Sequence, residues 1–374
     1  MAAVSQVGST ASGQPISQYT LSHGSNLTVR IMDFGATILS VHVPDAKGAM
    51  GEVTLGYDDA AEYVAGRTPY FGTVAGRVAN RISKGSFSVD GKSYAVAVNN
   101  GPNSLHGGLV GFDKCLWTCE AHSATSLTLL LHSADGDEGY PGNLDVKVTY
   151  SLPTPTELRI EYSATTDAPT PINLTNHSYW NLRDGGETDV LDHEIELAAD
   201  FYVPVDETSI PTGEIRAVSG AMDLRTRGRI GRAITEADNG MGYDHTWVMR
   251  GGLSSQDGLR AVSRVYDPVS GRWMVVRSDQ PGVQFYTGNY LTGASGRTGG
   301  KYSRNHGFCL ETQKFPDAIN VAHFQDIVLR PGQSYRHVTV HEFGAAAAAP
   351  EAAESEESGA GGRSCGPFSS CFNV

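Results

Sequence analysis

Apolar residues recur at every second position in several short runs: Leu27, Val29 and Ile31; Leu127, Leu129 and Leu131; Val146, Val148, Tyr150 and Leu152; Leu158, Ile160 and Tyr162; Val338 and Val340. A period of two belongs to a strand with one face in a core and the other toward solvent. The stretches between the runs are rich in Gly, Pro, Asn and Asp, which supply turns. Helical periodicity is scarce. "DDAAEYVAG" from Asp58 and "GRAITEAD" from Gly231 have room for a turn or two, with Asp58 or Thr235 as N-cap. The pattern predicts an all-β protein, a large antiparallel β-sandwich whose loops carry the chemistry. No repeat of fixed period stands out, which argues against a propeller.

The ends differ from the middle. Residues 1–14 are rich in Ser, Gly and Gln and are expected to be a flexible segment, with the sandwich domain spanning 15–343. Residues 344–374, opening "GAAAAAPEAAESEESGAGGRS", are low-complexity and acidic. Such a stretch buries too little apolar area to offset the entropy of ordering, so a disordered tail is expected.

Charge and composition narrow the partner. The 374 residues are 40% hydrophobic, enough for a sizeable core, and carry a formal net charge of −13. That balance argues against nucleic acid and against an anionic membrane surface, and leaves neutral small molecules open. No run approaches the ~18 apolar residues of a membrane-spanning helix, and the opening residues lack the basic and apolar regions of a signal peptide. Cys115, Cys119, Cys309, Cys365 and Cys371 are too unevenly spread for a disulfide framework and form no CxxC pair, which favours a reducing compartment, the cytoplasm. The Asn-x-Ser/Thr triplets at Asn26, Asn173 and Asn176 then carry no weight. A monomer or weak homodimer is expected. The terminal "CFNV" places Cys371 as in a prenylation motif, but Asn373 is a poor aliphatic position in an acidic tail, and an inert extension is the simpler reading.

Five polar segments break the strand-and-turn pattern. "AGRVANRISKG" offers Asn80 and Arg81, "NNGPNSLHGG" offers His106, "TNHSYWNL" offers His177, "GYDHTW" offers Asp244 and His245, and "GFCLETQKFPDAIN" offers Glu311. Each has a plain structural alternative. A lone histidine in a turn is more often a hydrogen-bonded framework residue, Arg81 pairs as readily with a surface acid, and a strand glutamate is by default salt-bridged. Glu311 follows the alternating Phe308 and Leu310, so its carboxylate needs partners if it points inward. "FGTVAGRVAN" lacks both GxGxxG and the GK[ST] of a phosphate loop. A metal site from His177, Asp244 and His245 lacks the HxH or HxxxH spacing that would recommend it. Tyr179 and Trp180 beside His177 read either as core or as the aromatic face on which proteins rest a pyranose.

Taken in order, "DFGATILSVHVPD", "VTLGYDD", "YFGTVAGRVANRI", "NSLHGG", "GFDKCLW", "DGDEGYPGNL", "NLTNHSYWNL", "GVQFYTGN", "GFCLETQKFPDAIN" and "LRPGQSYRH" closely resemble the aldose 1-epimerase (galactose mutarotase) family over residues 15–343. The resemblance implies a single β-sandwich domain that interconverts the α and β anomers of free aldohexoses such as glucose and galactose without a cofactor or metal. It puts the family's base on Glu311 and its acid on His177. It puts the substrate-holding residues on Asn80, Arg81, His106, Asp244 and Gln284, to which the residue-level reading adds Tyr179. On this reading Glu311 keeps a near-ordinary pKa and His177 a raised one, so that one is ionised and the other protonated at neutral pH. The rivals are a hexose 6-phosphate epimerase, which would need clustered Arg or Lys beyond Arg77 and Arg81, and a non-catalytic sugar binder, which would not need both Glu311 and His177.

Overall fold

The computed structural model describes residues 3–66, 69–237, 240–254 and 256–347. The alternating runs become antiparallel ladders. Strands Ser126–Ser133, Leu144–Thr154 and Glu157–Thr166 follow one another as neighbours, with Leu129 opposite Val148 and Val148 opposite Tyr162. Their apolar positions therefore fall in rows on one face, and these three side chains are buried. Tyr335–Ala345, Arg272–Ser278, Arg260–Tyr266, Glu194–Leu197 and Gly228–Arg229 extend the sheet on one side and Thr118–His122 closes it on the other, making nine strands.

A second sheet has six strands in the order Tyr179–Trp180, Phe308–Gln313, Gly282–Tyr286, Asp244–Met249, Ala199–Val203 and Arg216–Ala217. A third has five, Ala3–Ser9, Pro15–His23, Leu27–Met32, Thr37–Pro44 and Met50–Glu52. One hydrophobic cluster joins all three: Leu129, Val148 and Tyr162 from the first, Trp247, Phe285 and Phe308 from the second, and Val29, Ile31 and Val41 from the third. The fold is the antiparallel sandwich that the period of two predicts. Burying each large aliphatic or aromatic side chain in this layer contributes about 1.5–3 kcal/mol.

Several local expectations need correction. Val338 and Val340 do not face the main core; they pack with Leu259 on the opposite face of their strand. The core face of that strand carries Tyr335 and Phe343, with His337, Thr339 and His341 alternating between them. This strand lies between Glu157–Thr166 and Arg272–Ser278 and is buried on both sides, so apolar alternation does not reveal which face is inner. The one α-helix among the described residues, Ala60–Val64, is capped by Asp59, whose carboxylate accepts from the Ala61 amide at 2.8 Å. Asp58 instead accepts from the Thr298 amide at 2.6 Å. The "GRAITEAD" segment makes two 3₁₀ turns, Ile230–Arg232 and Ile234–Glu236, with Thr235 inside the second and not at a cap. The segment expected to be flexible includes the edge strand Ala3–Ser9, held by pairing to Pro15–His23. The final strand runs to Ala345, and the tail reading for residues 348–374, with Cys365 and Cys371, lies outside the described residues. Among the described residues no helix is long and apolar enough to cross a membrane.

The strand Phe308–Gln313 positions the chemistry. All six residues are buried. Phe308 and Leu310 enter the main core, so alternation turns Cys309, Glu311 and Gln313 to the other face. There, short ladders hold the site loops: Thr175–Asn176 pairs with Val74–Ala75, and Arg81–Ile82 with Ser104–Leu105.

Candidate active site

Antiparallel register places Gln284 opposite Glu311 and Thr246 opposite Gln284, so three polar side chains lie in one row, of which Gln284 and Glu311 line a cleft. Thr246 donates its hydroxyl to Gln284 Oε1 at 2.5 Å, and Gln284 Nε2 donates to Asp244 Oδ1 at 2.8 Å. Both ends of the Gln284 amide are thereby fixed, and Asp244 is aimed. The cleft has a volume of about 500 Å³ and is lined by Asn80, Arg81, His106, His177, Tyr179, Asp244, Gln284 and Glu311, all eight site residues singled out from the sequence.

His177 lies at the end of the Thr175–Asn176 pairing, where its amide donates to Thr73 O at 2.9 Å and its carbonyl accepts from the Gly72 amide at 3.0 Å. Its Nε2 lies 3.5 Å from Glu311 Oε1. On the other ring nitrogen, Nδ1 lies 3.5 Å from the Cys309 thiol. Glu311 and His177 are 2% and 5% exposed. The second carboxylate oxygen, Oε2, has no hydrogen-bond partner in the protein although it is buried.

His106 adopts a left-handed backbone, φ 49°, and exchanges bonds with Asn80: its amide donates to Asn80 O at 3.0 Å and its Nδ1 accepts from the Asn80 amide at 3.2 Å. An Nδ1 that accepts leaves the proton of the neutral ring on Nε2, so His106 presents a donor to the cleft. The turn behind it needs glycine, because a Cβ on Gly107, φ 95°, would stand 1.9 Å from Gly76 O. Arg81 is held by its Nε donating to Asn100 Oδ1 at 3.0 Å.

Burial sets the electrostatics. It pushes the Glu311 carboxyl well above its ordinary value, reinforced by the nearby Asp244 charge and opposed by Arg81. Burial also pulls His177 down to about 4, and holds His106 well below the usual histidine value with help from His177 and Arg81. These directions reverse the expectation of an ordinary carboxylate beside a raised imidazole. At this depth the cost of desolvating a charge exceeds what the neighbouring charges return.

His106, His177 and Glu311 offer ligand atoms within 4.8 Å of one another, a different trio from the His177, Asp244 and His245 set considered from the sequence. His245 turns away, with its ring against Tyr202 and Trp247. The trio is ill suited to a cation, because a ligating imidazole normally donates its far N–H, whereas His106 Nδ1 faces the Asn80 amide donor. Arg77, the other cation near the motifs, is buried away from the cleft on Pro141 O, Gly142 O, Thr170, Ser133 and Ala134. Among the described lining residues Arg81 faces three acids, Glu207, Asp244 and Glu311, a poor setting for a phosphate dianion. A second depression of about 580 Å³ lies outside the nine-stranded sheet, but its charged side chains His132 and Lys147 already pair with Asp145 and Glu120 at 2.7 Å.

Sequence reasoning missed Tyr70, Tyr286 and Tyr290, and the Glu207–Ser209 turn. Tyr70 was within reach, since it opens the "YFGTVAGRVANRI" string; "DETS" at 206–209 carries no comparable signal.

A family model described as Aldose 1-epimerase matches residues 17–342. The galactose mutarotase of Bos taurus is 47% identical over 322 residues, covering 86% of this chain and 92% of that protein. The aldose 1-epimerase of Escherichia coli (strain K12) is 35% identical over 337 residues, 88% of this chain and 96% of its own. The crystal structure of a GalM/aldose epimerase homologue from C. elegans, 31% identical, superposes with a TM-score of 0.81 over 87% of this chain and 98% of that one.

Proposed function

The chain belongs to the aldose 1-epimerase family and is an isomerase of aldose anomers, and from that premise we propose that Glu311 and His177 are the base and acid that open the ring of a free aldohexose such as galactose or glucose. The observation that carries this reading is the unpartnered, buried Glu311 Oε2 in a cleft where Oε1 already lies 3.5 Å from His177 Nε2. An orphan carboxylate oxygen at 2% exposure is costly, and an anomeric hydroxyl donating to it would satisfy it.

Ring opening breaks the bond between C1 and the ring oxygen. Glu311 takes the proton of the anomeric hydroxyl as His177 Nε2 gives one to the ring oxygen; the C1–C2 bond rotates, and closure on the other face returns both protons. Acid and base exchange roles on closure, so neither is consumed. A positioned acid or base contributes ~10²–10⁴ each. The pair needs one proton between its two members. Burial favours keeping it on the carboxyl, and moving it to the imidazole creates the reactive ion pair. His106 Nε2–H, Arg81, Asn80, Asp244 and Gln284 supply donors and acceptors of fixed direction for the sugar's other hydroxyls, and Tyr179 an aromatic wall.

On the same reading the enzyme acts as a monomer or weak homodimer in a reducing cytoplasm, without nucleic acid or membrane; the net charge of −13 and the free Cys115, Cys119 and Cys309 support it. Adding the purified protein to freshly dissolved α-D-galactose in a polarimeter tests the activity. Relaxation of the optical rotation faster than in buffer is expected, and an unchanged rate would contradict the reading.

A further inference from the structure

The imidazole of His177 packs against two phenol rings. Tyr179 stacks on it with centroids 5.1 Å and planes 26° apart, and Tyr70 stacks on it at 5.7 Å and 27°. Tyr70 reaches further, to His106, with a centroid distance of 4.6 Å. Its backbone is left-handed, φ 66°, rare for a bulky residue, and the turn is tied down: Tyr70 O accepts from both the amide and the hydroxyl of Thr73 at 3.2 Å. The same turn is laced to the histidine's own backbone, through the Gly72 amide to His177 O, the His177 amide to Thr73 O, and Asn176 Nδ2 to Gly72 O at 2.8 Å. The next residue, Phe71, is fully buried with its ring 5.0 Å from that of Tyr179. The two tyrosines are thus anchored to each other and to the residue they stack on.

We propose that Tyr70 is a positioning residue for the reaction: with Tyr179 it clamps the His177 ring so that Nε2 stays on Glu311 and the ring oxygen, and its π face favours the protonated imidazole. This rests on the reading of His177 as the acid. Two rings stacked near-parallel to the imidazole resist its rotation about its bond to Cβ, leaving the ring edge as the part that can react. An aromatic face also attracts a cation, most strongly out of water. The groups facing His177 are Glu311, His106, the Cys309 thiol and the two phenols; those facing Tyr70 are His106, Asp113, Arg81 and Lys114, whose Nζ is 5.7 Å from the Tyr70 centroid. Burial lifts the Tyr70 hydroxyl to about 12 and that of Tyr179 well above its ordinary 10, so both remain neutral phenols across the working range.

The experiment compares Tyr70→Leu and Tyr70→Phe with the wild type, by polarimetry across pH and by ¹⁵N NMR of the His177 ring in sugar-free protein, with thermal unfolding as a control on folding. Tyr70→Leu is expected to lower kcat about tenfold or more, to change KM less, and to move the His177 titration acidward by up to about one pH unit. Tyr70→Phe keeps the face and is expected to restore both. A folded Tyr70→Leu with wild-type kcat and an unmoved His177 titration would overturn the proposal. So would Tyr70→Phe as impaired as Tyr70→Leu, which would put the role in the hydroxyl, or a Tyr70→Leu that loses KM alone, which would make Tyr70 a sugar contact. Should His177→Asn stay active while the NMR shift in Tyr70→Leu is seen, the acid assignment fails and the clamp on the ring stands.

Discussion

Glu311 Oε1 stands 3.5 Å from His177 Nε2 with both side chains nearly sealed from solvent, close enough that a proton on one bears on the other. Below about 4 the pair holds two protons, because burial has lowered His177 to that value. Above the raised value of the Glu311 carboxyl it holds none. The proposed mechanism needs one, so kcat is expected to follow a bell whose acid limb lies near 4 and whose alkaline limb belongs to the carboxyl. This inverts the assignment that ordinary pKa values would give. Carboxyl ¹³C NMR of Glu311 checks it: titration with the alkaline limb is expected, and an ordinary carboxylate midpoint would show that burial does not govern the site.

The same burial makes Glu311 a liability for folding. Its folded pKa is above its unfolded one, so the stability it contributes is complete below the unfolded value and is lost as pH rises through the folded value. Glu311→Gln is expected to gain stability over the wild type at alkaline pH by about 1–3 kcal/mol, with the gain shrinking toward pH 4. Urea unfolding at two pH values measures the difference.

Buried neutral histidines make the fold sensitive to acid. Burial lowers His177, His193 and His337 to about 4 and His341 to about 3. Groups with depressed pKa give stability that is present above the unfolded value of ~6.5 and is lost as pH falls toward the folded one. Each should take away ~1.4 kcal/mol per pH unit through that window. His341, stacked near Trp180 and Phe343 with no partner for Nδ1, is the simplest to test. His341→Phe is expected to flatten the pH dependence by about one proton.

His106 is expected to act through binding. Its Nε2–H is fixed by the Asn80 amide on Nδ1, so His106→Leu removes one donor to the sugar and leaves Glu311 and His177 in place. A 10–100-fold loss in kcat/KM, carried more by KM than that of His177→Asn, is expected from steady-state kinetics.

How much of this could be read from the chain follows from what spacing encodes. Alternation announced the ladders through Leu129, Val148 and Tyr162, and the long motif strings pointed to eight of the residues that line the cleft, though not to Tyr286, Tyr290 or the Glu207–Ser209 turn. Depth was hidden. A period of two says which residues share a face, but not that the strand of Glu311 is buried throughout, and that depth reverses the pKa directions at Glu311 and His177. Direction was hidden too: Asp244 and His245 are neighbours in sequence, yet one faces the cleft and the other packs on Trp247. Val338 and Val340 misled for the mirror reason, being apolar on the outer face of a central strand. Asp59 in place of Asp58 as the cap shows how far a one-residue choice depends on where the chain enters the helix.

One carboxyl and one imidazole, 134 positions apart in sequence and brought together by the pairing of their strands and loops, are proposed to open the sugar ring jointly. Polarimetry on fresh α-D-galactose with Glu311→Gln and His177→Asn, each shown to be folded by its thermal transition, tests that joint action directly. At least a ~100-fold loss of kcat in each, with the double variant little worse than either single one, is the expected result. Near-wild-type turnover in either folded variant would remove that residue from the reaction.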